Sequence, residues 1–128
     1  MIAVDSSALI AVVLGEADAE RFLAAMGADA ASLSAVSLTE ATIVAEARQG
    51  ADAVRDLELL VAGVIDRVVA VDATHARAAA AAWRRFGKGR HPAGLNLGDC
   101  FAYATASLAG APLLFKGNDF AQTDLPAA

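Results

Sequence analysis

Ile2-Ala3-Val4-Asp5-Ser6-Ser7-Ala8-Leu9-Ile10-Ala11 is the stretch on which the fold turns. Three apolar residues stop at an acid, and two serines then open a second apolar run. The first run reads as a short buried strand. Ser6 or Ser7 is the expected cap of a helix that reaches Leu14, where Gly15 stops it. Strand, acid, helix is the start of a βαβ alternation, and the rest of the chain continues it.

Residues 17–26 predict a second helix, with Phe22, Leu23 and Met26 on one face. Residues 32–36 read as a second strand. Ser37-Leu38-Thr39-Glu40 then opens a helix to Gln49, which Gly50 ends. Residues 52–65 carry Val54, Leu57, Val61 and Val64 at helical spacing. Residues 68–71 are a β-branched third strand, and Asp72 or Thr74 starts an Ala-rich helix to Phe86. Residues 87–98 hold four glycines and Pro92 and read as a loop. A helix over 99–108 ends at Gly110, residues 113–115 form a fourth strand, and 116–123 form a polar turn before a loose C-terminus. Strands alternating with helices predict an α/β fold: a central parallel sheet of about four strands with helices on both faces. The expectation is one domain over residues 1–128.

The composition narrows the classes. At 128 residues there is room for one core of ordinary size. Hydrophobic residues make up 57%, but 34 residues are alanine and only 5% are aromatic, so closely packed helices with few large anchors are expected. Disorder is excluded by the hydrophobicity. Fifteen acids against ten bases give a net charge of −5, which excludes a uniformly basic nucleic-acid binder but not a local basic patch. Cys100 is the one cysteine, so no intrachain disulfide forms and a reducing compartment is expected. With His75 and His91 it makes too few ligands for a Cys/His zinc site. The longest apolar runs, 8–14 and 59–65, are too short to span a membrane. No basic segment opens a signal peptide, so a cytoplasmic location is expected.

Acids stand where a parallel sheet would gather them. Ligand sites in open α/β sheets form beyond the carboxyl ends of the strands. Asp5 ends the first strand, Glu40 lies in the first turn after the second, Asp119 follows the fourth, and Asp99 opens the preceding helix. Carboxylates brought together repel, and a divalent cation reverses that penalty. Oxygen ligands suit Mg²⁺ or Mn²⁺, which acidify water and neutralise phosphate oxygens. Metal-assisted phosphodiester hydrolysis is the chemistry this set suggests. Each acid has a structural alternative: Glu40 as capping-box partner of Ser37, Asp99 as a complement to the helix dipole, Asp119 as a turn former. Asp5 is hardest to account for that way, because an unpaired buried charge is costly.

The four segments that hold these acids resemble the motifs of one family. The opening stretch through Ala11, then Ser37-Leu38-Thr39-Glu40, then 91–104 (HPAGLNLGDCFAYA), then 113–120 (LLFKGNDF) look like the four motifs of the PIN-domain ribonucleases, and within them of VapC-type toxins of toxin–antitoxin pairs. The order and spacing match over essentially the whole chain. The resemblance implies a three-layer αβα PIN-like domain and an Mg²⁺- or Mn²⁺-dependent ribonuclease. It also implies a homodimer and a cognate antitoxin that blocks the site. Asp5, Glu40 and Asp99 carry over as metal-site acids. Many relatives place the fourth acid two residues before the final Asp-Phe pair, where this chain has Gly117. Asp119, aided by Asn118, takes that role here.

Around these acids, Ser6 and Ser7 are candidates to orient Asp5 or a water near it. Arg84, Arg85, Lys88 and Arg90 place four of the ten basic residues within one short segment. With Lys116 they are candidate RNA-phosphate contacts; as an alternative, the cluster merely ends a helix favourably. Trp83 and Tyr103 read as core or interface residues and Cys100 as a small buried one. Two other classes stay open. A response-regulator-like receiver would be phosphorylated at Asp72, but needs paired acids where Asp5 stands alone. A catalytically inactive binding module would keep the fold without the chemistry.

Overall fold

The computed structural model describes residues 1–128. Its elements run β1 (Ile2–Val4), α1 (Ser6–Val13), α2 (Ala19–Ala28), β2 (Ala31–Ser34), α3 (Ala35–Val64), β3 (Arg67–Val69), α4 (Ala73–Phe86), α5 (Leu97–Ala109) and β4 (Leu113–Leu114), with a 3₁₀ turn at Phe120–Gln122. All four strands are parallel, in the order β3-β2-β1-β4. The expected α/β class and four-stranded parallel sheet are borne out. No helix is long and apolar enough to cross a membrane.

Strand alternation divides the core between two faces. Side chains of a strand point to opposite faces in turn, so Ile2 and Val4 pack with Leu9, Phe22, Met26, Leu33 and Leu57 under α1, α2 and α3. Ala3 packs the other way, with Phe86, Leu95, Tyr103 and Leu113 under α4 and α5. β4 splits likewise, Leu114 to the first layer and Leu113 to the second. Alanines seal the helix contacts: Ala8, Ala41, Ala45, Ala104 and Ala106 are all fully buried. The result is three layers, helix–sheet–helix.

Several boundaries differ from the sequence reading, each for a local reason. Asp5 itself caps α1, its carboxylate accepting the Ser7 N–H, so neither serine is the cap. Leu23 is 43% exposed while Phe22 and Met26 are buried: the buried pair lies one turn apart, and Leu23 falls off that face. β2 ends at Ser34, whose hydroxyl accepts the Val36 N–H and starts α3 at Ala35. Ser37 is therefore buried inside the helix with its hydroxyl unpartnered, and it forms no capping box with Glu40. Gly50 bends rather than ends α3, taking φ 75°, a conformation costly for other residues. The chain beyond the 3₁₀ turn is pinned, not loose. Leu113 N–H donates to Pro126 O, Ala128 N–H donates to Leu113 O, and Asp124 takes a hydrogen bond from the Tyr103 hydroxyl and an ion pair from Arg85 at 3.2 Å.

Candidate active site

The sheet topology brings the four acids to one rim. β1 delivers Asp5 at its carboxyl end, 3% exposed. β2 feeds directly into α3, whose second turn carries Glu40. The loop 87–96 leads into α5, where Asp99 is the third residue. Its carboxylate accepts the Asn96 backbone N–H at 3.0 Å and Asn96 Oδ1 accepts the Asp99 N–H at 2.9 Å, a reciprocal cap. β4 ends short, and the following turn presents Asp119. Asp5, Glu40, Asp99 and Asp119 line one cavity of about 300 Å³ with Ser6, Ser7, Asn96 and Lys116.

Two serines lock the acidic side chains to the scaffold. Ser7 gives both its backbone N–H and its hydroxyl to Asp5 Oδ2. The same hydroxyl accepts the Lys116 backbone N–H at 2.9 Å, tying the end of β1 to the end of β4. The Ser6 hydroxyl goes elsewhere and donates to Glu40 Oε1 at 2.6 Å. The expectation of two Asp5-orienting serines thus becomes one for Asp5 and one for Glu40.

Electrostatics mark the cluster as a place for positive charge. Burial pushes the Asp5 carboxyl up from its ordinary value, the Ser7 hydrogen bonds pull it down, and the Glu40 charge adds to the rise. Asp99 is pushed up to about 6, first by burial, against the Asn96 hydrogen bond, with Asp5, Glu40 and Asp119 repelling its charged form. Asp5 Oδ1 is buried with no hydrogen-bond partner, the condition that a cation or an ordered water relieves. The acids are too spread to form a ready cage, since no group of three or more His, Cys, Asp or Glu side chains sits in ligating array. A hard ion that keeps several waters needs only one or two direct carboxylates. The residues present fit such an ion.

The basic candidates separate. Lys116 lines the cavity, but its ammonium is held by Glu16 at 3.3 Å and Asp18 at 3.2 Å, so it is not the free phosphate contact expected. Arg85 is paired to Asp124 and stacked on Phe86. Arg90 lies over Trp83, 4.6 Å from the ring centroid, and bonds Arg84 O. Arg84 is exposed with no ion pair, and Lys88 borders a neighbouring hollow whose wall includes Asn96. Asn118 is exposed and lines no part of the acid cavity. Tyr103 is buried as expected, whereas Trp83 stays 45% exposed. Asp72, the residue a receiver would phosphorylate, caps α4 through the His75 N–H and lines none of the acid cavity.

Fold and site together define a small α/β domain with a carboxylate-lined rim, and comparison with known proteins agrees. The PIN-domain profile matches residues 2–125, and the chain belongs to the PIN-domain family, among its VapC ribonucleases. It is 51% identical over 123 residues to Ribonuclease VapC30 of Mycobacterium tuberculosis, covering 95% of this chain and 94% of that one. It is 48% identical over 125 residues to Ribonuclease VapC of Mycolicibacterium smegmatis, covering 97% of each. Among solved structures, VapC20 of Mycobacterium tuberculosis, described as a sarcin–ricin loop cleaving toxin, shares the fold at TM-score 0.81 and 19% identity, over 100% of this chain and 98% of that one. A toxin–antitoxin complex from Klebsiella pneumoniae shares it at TM-score 0.73 and 20% identity, over 97% and 93%.

Proposed function

We propose that this protein is a divalent-metal-dependent ribonuclease, using Mg²⁺ or Mn²⁺, and that it acts in the cytoplasm as the toxin of a toxin–antitoxin pair. The observation that carries the reading is the convergence of Asp5, Glu40, Asp99 and Asp119 on one cavity, with a buried Asp5 oxygen left without a partner. Asp5 and Asp99 would hold the ion, with Glu40 and Asp119 completing the oxygen set directly or through water. When bound, the ion supplies Lewis acidity, acidifying water and neutralising charge on the phosphate. The chain's own part is positional: Ser7 fixes Asp5, Ser6 fixes Glu40, and the Asn96 cap fixes Asp99. Arg84 and Lys88 are the candidates to hold RNA phosphates beside the site.

The VapC relatives are named ribonucleases, and the Klebsiella neighbour is a complex with an antitoxin. Both support an RNA substrate and a cognate antitoxin here. A homodimer is part of the proposal: Leu97, Ile43 and Trp83 stand 77%, 62% and 45% exposed beside adjoining hollows, apolar area a second copy would cover. Purified protein incubated with RNA should cleave it with Mg²⁺ or Mn²⁺, and EDTA should stop the reaction. Asp5→Asn should abolish cleavage and relieve growth arrest. Cleavage indifferent to EDTA and to Asp5→Asn would refute the metal-dependent assignment, and no cleavage with either ion would leave the inactive binding module standing.

A further inference from the structure

Gly98 stands where no side chain fits. It is the second residue of α5, and its φ is not positive, so backbone strain does not call for glycine. Its neighbour does. A methyl built at residue 98 would collide with Glu40 Oε2 and lie 2.8 Å from Cδ and 2.9 Å from Oε1. The Glu40 carboxylate therefore occupies the space a side chain would fill, against bare backbone at the start of α5. On its other side Ser6 Oγ donates to Oε1 at 2.6 Å. Three segments distant in sequence thus meet at one carboxylate: α3 supplies it, α5 seats it and α1 locks it. The N-terminal end of a helix carries partial positive charge, so the seat lies where a helix attracts an acidic side chain.

We infer that Gly98 and Ser6 are positioning residues for Glu40. The missing side chain at 98 makes the seat, and the Ser6 hydroxyl holds the carboxylate there, facing the same cavity as Asp5 and Asp99. This rests on the metal-dependent reading of the site. The carboxylate is the free end of a side chain with three torsions, so a Cβ at 98 displaces Glu40 rather than the backbone. Alanine also suits a helix better than glycine. Gly98→Ala should therefore keep or raise the melting temperature while Mn²⁺ affinity and RNA cleavage fall roughly 10- to 100-fold.

The test compares Gly98→Ala, Glu40→Ala and the double variant in the full chain. Mn²⁺ affinity is read by electron paramagnetic resonance without RNA, and cleavage is read separately. Gly98→Ala should add no further loss in the Glu40→Ala background, because the displaced group is already gone. Ser6→Ala should lose affinity and Ser6→Thr, which keeps the hydroxyl, should restore it. Equal losses from Gly98→Ala with and without Glu40, or wild-type Mn²⁺ affinity in Gly98→Ala, would overturn the inference, as would a Gly98→Ala chain that does not fold. If the wild-type protein neither binds Mn²⁺ nor cleaves RNA, the functional reading fails by itself. A crystal structure of Gly98→Ala then still decides the seat: a Glu40 carboxylate moved off Ser6 Oγ supports it, and one left in place refutes it.

Discussion

Asp99→Asn should make the protein more stable and inactive at once. Asp99 keeps its charge in a half-buried place among three other acids, which pushes its carboxyl from 3.8 to about 6. Ionising it in the folded state at neutral pH thus costs up to about 3 kcal/mol. Asparagine removes that cost, and its side-chain oxygen can still accept the Asn96 N–H. It forfeits the attraction between a carboxylate and the helix N-terminus, about 0.3–1 kcal/mol, and partial exposure screens the rest. A net gain of about 1–2 kcal/mol remains, or roughly 4–8 °C for a domain of this size. The sign with pH follows from the raised value. The folded state holds the proton more tightly, so the cost is fully present above about pH 6 and vanishes below the unfolded value of 3.8. Thermal unfolding in EDTA should show the variant ahead at neutral pH and level with wild type near pH 3.5. Mg²⁺ should then raise the wild-type melting temperature more than the variant's. A variant less stable at neutral pH, or one whose advantage persists at pH 3.5, would refute the account of a charge made costly by burial first and by its acidic neighbours second.

Other perturbations separate the remaining roles. Neutralising Arg84 and Lys88 should weaken RNA binding and lower the slope of log affinity against log salt by about two contacts' worth, whereas Lys116→Ala should leave that slope unchanged because Glu16 and Asp18 already hold its ammonium. Phe22→Ala, at a fully buried site, should cost about 3–5 kcal/mol in urea unfolding. Asp124 is held below its usual range, first by the Tyr103 hydroxyl. Its contribution to stability is thus present above the ordinary carboxylate value and lost as pH falls through the lowered one. Asp124→Asn should flatten that acid limb in a pH series of melting temperatures, and an unchanged limb would dismiss a stabilising role for the Tyr103–Asp124 hydrogen bond.

What the sequence disclosed was whatever chain order alone determines. Asp5 was legible because a charge ending a three-residue apolar strand does nothing for the core, although its part as the cap of α1 was not read. The glycines at 15 and 110 marked helix ends through the backbone they permit. The parallel sheet followed from alternation, and with it the shared rim of the acids. Contacts across the fold were hidden. The Ser37-to-Glu40 spacing mimics a capping box, yet α3 starts at Ala35 and Glu40's real partner is Ser6, 34 residues away. Gly98 looked like a loop residue because its neighbour Glu40 is invisible to any local pattern. Lys116 read as a free cation because Glu16 and Asp18 reach it only after folding.

Ser7 and Lys116 are bonded across 109 positions, and β1, the first strand, lies between β2 and β4 in the sheet. The middle of the sheet is therefore made first on the ribosome and receives its last neighbour only when nearly all of the chain has emerged. A chain still short of β4 holds Asp5, Glu40 and even Asp99 without the closing wall of the cavity. The rim that gathers the four acids is therefore complete only when the turn carrying Asp119 has been made, within the last dozen residues of the chain.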